Sequence, residues 1–232
     1  MELEYISPSA LNEWHFCNAK WNYHRLNVPE LPTDDTAALF GTAVHRAISH
    51  YYDKISDYPR PIEIQDMIKQ SFADHVDSFR YLKQKYESCL TNFINFEIGR
   101  LKTFRKFKPT FTERTLRVGI FKGIVDAYWQ EDETVLDWKT GWVDSMNPNL
   151  QRQGAIYRNI LNEAGFPCKR AFFIALTNGR IVELPNVTQA WVEEQVNSLL
   201  GATTIRKNVG PHCNYCPYNL RCQFSEETLW SV

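Results

Sequence analysis

Apolar positions along this chain follow two rhythms, and the boundaries between them divide it into elements. Leu11, Trp14 and Phe16 follow Ser7-Pro8 at near-helical spacing, with Trp21 one turn further on. Serine as cap and proline at the first helical position make a good helix start, and Cys17 falls within that helix or at its end. Asn27–Thr36 carries two prolines and two aspartates and reads as a loop. After Gly41, the spacing of Val44, Ile48 and Tyr51 or Tyr52 restores the helical period. Asp57–Pro61 is a turn. From Ile62 to Phe107 the stripe Phe72, Val76, Phe79, Leu82, Tyr86, Leu90, Phe93 and Ile94 predicts two helices with a core face, ended by Pro109. Cys89 lies on that face and reads as a small buried hydrophobe. His50 reads as surface.

Beyond Pro109 the period shortens. Thr112–Ile120 alternates like a strand. Gly123–Trp129 and Thr134–Thr140 flank the polar Glu131-Asp132-Glu133, which suits a β-hairpin. Residues two apart on a strand point the same way, so Asp137 and Lys139 share one face while Leu136 and Trp138 share the other. The neighbouring strand can set Asp126 beside them. Asn147-Pro148 opens a helix carrying Gln151, Gln153, Gly154, Tyr157 and Leu161, in which Gln153 and Tyr157 are four apart and share a face. Gly165 and Pro167 close it. Cys168–Leu176 and Arg180–Leu184, joined by Thr177-Asn178-Gly179, form a second hairpin, where Asn-Gly favours a type I′ turn. Val187–Leu200 is an amphipathic helix that covers one sheet face.

At 232 residues the chain is long enough for one domain with its own core. No apolar run is long enough to span a bilayer, and MELEYISPSALNEW lacks the regions of a secretory signal, so the expected location is cytoplasmic. Net charge is −1, so any attraction for nucleic acid must be local. The densest basic run is Arg100, Lys102, Arg105, Lys106 and Lys108, interleaved with Phe104 and Phe107. It can meet phosphates and stack bases, or it can be a solvated helix end.

Two features carry candidate chemistry. Asp126, Asp137 and Lys139 on one strand face, framed by apolar residues, are costly to bury unless a cation neutralises the acids. Hard divalent cations prefer such oxygen ligands, and a metal held this way can activate water and clamp a phosphodiester. The second feature is Cys213-x2-Cys216-x5-Cys222, three of the chain's six cysteines within ten residues. Without a signal peptide, six cysteines argue against disulfides and for metal or redox use. Cys17 is the natural fourth ligand and would tie the first helix to the last loop. Zinc and an iron–sulfur cluster both accept four thiolates, so ligand type leaves both open.

The string G-I-V-D, an acidic turn and V-L-D-W-K-T-G resembles the core motif of the PD-(D/E)xK nuclease superfamily in its RecB-like branch. G-T-A-V-H at Gly41–His45 resembles the histidine motif of that branch, and Gln153-x3-Tyr157 a further feature of it. The N-terminal cysteine with the C-terminal Cys motif is similar to CRISPR-associated RecB-like nucleases and iron–sulfur helicase-nuclease subunits. This resemblance implies an α/β (α+β) restriction-endonuclease-like fold. A central mixed sheet would be flanked by helices, with a helical subdomain over about 53–108 and an iron–sulfur segment at 210–224 joining the termini of one 1–232 domain. It further implies one Mg2+ or Mn2+ on His45, Asp126, Asp137 and the Trp138 backbone carbonyl. Lys139 would be catalytic, Gln153 and Tyr157 would contact DNA, and a structural 4Fe-4S cluster would rest on Cys17, Cys213, Cys216 and Cys222. Asp137 stands where many relatives have glutamate. Glu113 lies where relatives often carry an upstream glutamate, but it is not assigned as a ligand, and Cys168 receives no role.

The activity so implied is an exonuclease acting on single-stranded DNA ends, alone, with a helicase, or trimming ends for a CRISPR integrase. The competing reading is a non-catalytic four-cysteine zinc module that binds DNA ends.

Overall fold

The computed structural model describes residues 4–143, 146–224 and 230–231. Helices α1 (Pro8–Phe16) and α2 (Asn18–Arg25) are separated at Cys17, whose backbone is extended. The Ser7 hydroxyl caps α1 by accepting the Ala10 N–H at 3.1 Å. Three longer helices follow: α3 (Thr36–Lys54), α4 (Pro61–Val76) and α5 (Lys83–Arg100). Next come strands β1 (Phe111–Val118), β2 (Phe121–Trp129) and β3 (Thr134–Lys139), helix α6 (Pro148–Glu163), then β4 (Arg170–Ala175) and β5 (Arg180–Glu183). The chain continues through α7 (Gln189–Leu200), β6 (Thr204–Ile205), a 3-10 turn at Pro211–Tyr215, α8 (Asn219–Phe224) and β7 (Trp230–Ser231).

Strands β1 to β5 form one mixed sheet in sequence order. Neighbours are antiparallel except β3 and β4, which run parallel. Parallel neighbours need a crossover, and α6 supplies it. Helices α3, α4 and α5 cover one face, packing Val44, Ile48, Phe72 and Phe93 against Leu136, Trp138 and Trp129. On the other face α1, α6 and α7 pack Leu11, Ile156, Ile160 and Leu199 against Val125, Tyr128 and Val135. With helices on both faces, every residue of β3 from Thr134 to Trp138 is buried, which explains its nearly continuous apolar run.

Five expectations need correction. The helix before Pro109 ends at Arg100, and this basic run is not a phosphate-binding strip throughout. The Arg100 guanidinium is buried, donating to Glu97 at 2.9 and 2.8 Å and to the Phe107 carbonyl at 2.6 Å. It lies over the rings of Phe104, Phe107 and Trp129, so these residues belong to the core and only Lys102, Arg105 and Lys106 are exposed. The strand predicted through Ile120 stops at Val118, where a two-residue turn, Gly119-Ile120, joins β1 to β2. The β4–β5 connection is not a type I′ turn, because Gly179 (φ +71°) has left-handed backbone and Asn178 does not. His50 is half-buried, with Nδ1 3.1 Å from the Ser71 hydroxyl.

Candidate active site

The site forms where β2 and β3 part. Their ladder pairs Trp129 with Thr134, Tyr128 with Val135 and Ala127 with Leu136, then stops. The next step in that register sets Asp126 opposite Asp137. There the Asp126 carboxylate replaces a backbone acceptor, Oδ2 taking the Trp138 N–H at 2.9 Å. On the other side of β2, Thr112 pairs with Ala127 and Arg114 with Val125, so Glu113 lies opposite Asp126. Glu113 has φ +45°, a left-handed conformation that costs a non-glycine residue about 1–3 kcal/mol and persists where its surroundings enforce it. Three strands therefore present three carboxylates in one row, of which Asp126 and Asp137 are buried.

His45 reaches this row from α3. Its Nε2 is 2.9 Å from the Trp138 carbonyl, to which it donates, so Nδ1 faces the acids, 3.4 Å from both Glu113 Oε1 and Asp126 Oδ2. A carbonyl fixing the far nitrogen is the usual way a ligating imidazole is held in its tautomer. Burial alone would disfavour the imidazolium, but the carboxylates of Glu113, Asp126 and Asp137 outweigh it and raise the His45 pKa to about 9. Burial, then the Asp137 charge, pushes the Asp126 carboxyl well above the carboxylate range. Neighbouring acids push both groups towards their protonated forms, while burial adds to the shift at Asp126 and opposes it at His45.

From the opposite layer, α6 contributes Gln153 and Tyr157. Gln153 Nε2 donates to Asp137 Oδ1 and to the Tyr157 hydroxyl oxygen, both at 2.8 Å, while its Oε1 accepts from Lys139 Nζ at 3.1 Å. One amide thus fixes both ends of the Asp137–Lys139 pair. Gly123 on β2 makes room for Tyr157, since a Cβ there would lie 3.2 Å from its ring. Lys139 Nζ is 2.6 Å from Asp137 Oδ2, yet off hydrogen-bond geometry, and that buried oxygen has no hydrogen-bond partner.

Among the described residues, one group of three or more His, Cys, Asp or Glu donors has ligating atoms within 4.8 Å of one another: His45, Glu113 and Asp126. The sequence reading left Glu113 out of the ligand set, and the structure brings it in. Asp137 is not part of this trio and turns its carboxylate to Lys139 and Gln153. A hard cation suits these donors, two carboxylate oxygens and an imidazole nitrogen held towards them by the Trp138 carbonyl.

The family model of the PD-(D/E)XK nuclease superfamily matches residues 5–223. The chain belongs to that superfamily. It is therefore a nuclease, a hydrolase of a superfamily that uses divalent metals, and its five-stranded sheet flanked by helices agrees with the superfamily core. No curated protein matches the chain. Eleven chains of solved structures match. One of them, described as "Crystal structure of SSO0001", is 16% identical with a TM-score of 0.44, the match covering 96% of this chain and 87% of that one. No helix among the described residues of this nuclease is long and apolar enough to cross a membrane.

The four cysteines assigned to a cluster are brought together elsewhere. Cys17, Cys213, Cys216 and Cys222 line one cavity of about 650 Å³, together with Phe16, Lys20, Tyr23 and Tyr218. None of the four is joined in a disulfide. Burial, and then the neighbouring thiol groups, raise the pKa of Cys216 and Cys222. The segment is tied back to the N-terminal helices by Asn208 Nδ2 donating to the Phe16 carbonyl at 2.7 Å and the Tyr218 hydroxyl to Glu30 at 2.8 Å.

Proposed function

We propose that the protein is a Mg2+- or Mn2+-dependent deoxyribonuclease that trims single-stranded DNA ends, its termini held by a structural 4Fe-4S cluster. The observation that carries the hydrolytic reading is the row of Glu113, Asp126 and Asp137 across three adjacent strands, with His45 Nδ1 on one side and Lys139 on the other. His45, Asp126, Asp137 and Glu113 would hold the ion, with the Trp138 carbonyl orienting the imidazole. When bound, the ion supplies Lewis-acid charge at the phosphate and lowers the pKa of the attacking water. Lys139, held by Gln153, would orient the attacking water and stabilise negative charge developing on the phosphate oxygens. Tyr157, whose pKa burial raises well above the ordinary value, remains a neutral donor for the phosphate backbone.

Four cysteines lining one cavity support a bound metal centre, and the likeness of Cys17 with Cys213-x2-Cys216-x5-Cys222 to the iron–sulfur nucleases favours a 4Fe-4S cluster over zinc. In this reading the cluster is structural, residues about 53–108 form a helical cover and 210–224 the cluster segment. The cytoplasmic setting would be end trimming for a CRISPR integrase, or recombination and repair beside a helicase, which co-purification of the tagged chain distinguishes.

Anaerobically purified protein, incubated with end-labelled single-stranded and duplex DNA with Mn2+ or with chelator, tests the reading. Metal-dependent shortening of the single strand and broad visible absorption are expected. A colourless, zinc-containing protein that binds ends without cutting them would replace it.

A further inference from the structure

At the C-terminal edge of β3 the chain passes from Lys139 through Thr140 and Gly141 to Trp142. Trp142 is 71% exposed, although the next residue, Val143, is fully buried. Val143 packs with Phe173, Ala175, Val182 and Leu184, so the backbone carrying the indole is anchored and the ring stands out from a fixed base. The Arg180 guanidinium lies over that ring, 5.9 Å from its centroid. Arg180 opens β5 and pairs with Ala175, which in turn pairs with Lys139. Two strand spacings of about 4.8 Å therefore separate the backbones of Arg180 and Lys139, roughly 10 Å in all. That is within one or two nucleotides' reach of the carboxylate row.

An indole left in water costs free energy unless something covers it, and a guanidinium beside it offers a positive charge to the phosphate that flanks a stacked base. Nucleobases offer such a surface when unpaired, whereas bases within a duplex keep their faces stacked on each other. The chain's net charge of −1 makes a local cation beside the ring more telling, because no general basic field would hold the strand. The basic run that sequence alone offered is partly withdrawn into the core with Arg100.

We propose that Trp142 and Arg180 form a stacking clamp for an unpaired DNA base next to the scissile phosphate, with Arg180 also contacting the flanking phosphate. The clamp selects single-stranded over duplex ends. This rests on the nuclease reading for its location, but the stacking itself is measurable without cleavage.

The test uses the full chain in chelator, so that nothing is cut, with dT20 and a blunt 20-base-pair duplex as probes. Affinity is read by anisotropy, and stacking by quenching of tryptophan fluorescence. Trp142→Ala should weaken dT20 binding about tenfold, within the range found for one base on one aromatic ring, and change duplex binding less than twofold. Trp142→Phe should restore most of the affinity but not the part of the quenching contributed by the indole. Arg180→Ala should weaken dT20 binding by a smaller factor and reduce its salt dependence. With Mn2+ present, Trp142→Ala should raise KM more than it lowers kcat. Wild-type affinity for dT20 in the folded Trp142→Ala protein, or equal weakening for dT20 and duplex, would overturn the clamp. A wild-type protein that cleaves no DNA with Mn2+, yet loses dT20 affinity in Trp142→Ala, would remove the nuclease reading and leave the clamp standing.

Discussion

Two clusters of charged side chains, Glu97 with Arg100 and the carboxylate row around Asp126, differ in how completely they are satisfied. In the first, Glu97 accepts from both Tyr51 and Tyr52, at 2.9 and 2.6 Å, and from two nitrogens of Arg100. Arg100 passes its remaining contact to the Phe107 carbonyl, and four aromatic rings surround it. One negative charge meets one positive charge and the hydrogen bonds are filled. In the second, three carboxylates, those of Glu113, Asp126 and Asp137, face one lysine and one histidine, and the Glu113 backbone is strained. A saturated pair holds a structure together. An unsaturated one is kept for a ligand that arrives later.

The comparison is broken or sharpened by changing each cluster in turn. Asp137→Asn should reduce metal-dependent cleavage by roughly 10³-fold, the scale of losing an electrostatic contact made to the transition state. Its thermal midpoint should stay at or above wild type, because the substitution removes one of three like charges. A destabilised variant would mean that Asp137 is structural. Glu97→Gln should do the reverse. Leaving Arg100 buried without its partner charge should cost about 3–5 kcal/mol of stability in denaturant titration, with cleavage per folded molecule unchanged. Gln153→Ala removes the amide that positions Asp137, Lys139 and Tyr157, and should lower metal affinity or activity by about 10–100-fold, measured as the Mn2+ concentration for half-maximal cleavage.

The smallest effect is on pH dependence. His45 binds its proton more tightly folded, at about 9, than unfolded at 6.5, so its contribution to apoprotein stability is complete below 6.5 and lost as pH rises towards 9. The upward shift at Asp126 acts in the same direction. In chelator the midpoint should therefore fall between pH 6.5 and 9. Added Mn2+, which competes with these protons, should raise it more at the upper end. A midpoint independent of pH would show that the carboxylate row is not charged as described.

The hairpin, the facing of Asp137 with Lys139, the Ser7 cap and the four-apart pair Gln153 and Tyr157 were legible because each depends on a period of two or of about 3.6 along a local stretch. Glu113 was hidden by one boundary. A strand read through to Ile120 conceals the turn at Gly119-Ile120, and with it the pairing that counts back from Val118–Phe121 to Glu113 opposite Asp126. Arg100 was misread for a different reason. A lysine-rich helix end and a buried guanidinium look alike until Glu97, Tyr52 and Trp129 are seen to surround it.

Sequence alone therefore determined the elements, the candidate acids and the cysteine spacing, because these are properties of neighbouring residues and of motif. Tertiary structure decided which carboxylates share a row, which way the His45 ring faces, which cations are free to meet a phosphate and which tryptophan stands in water. Those are questions of register and layer packing, and they join residues that lie far apart along the chain.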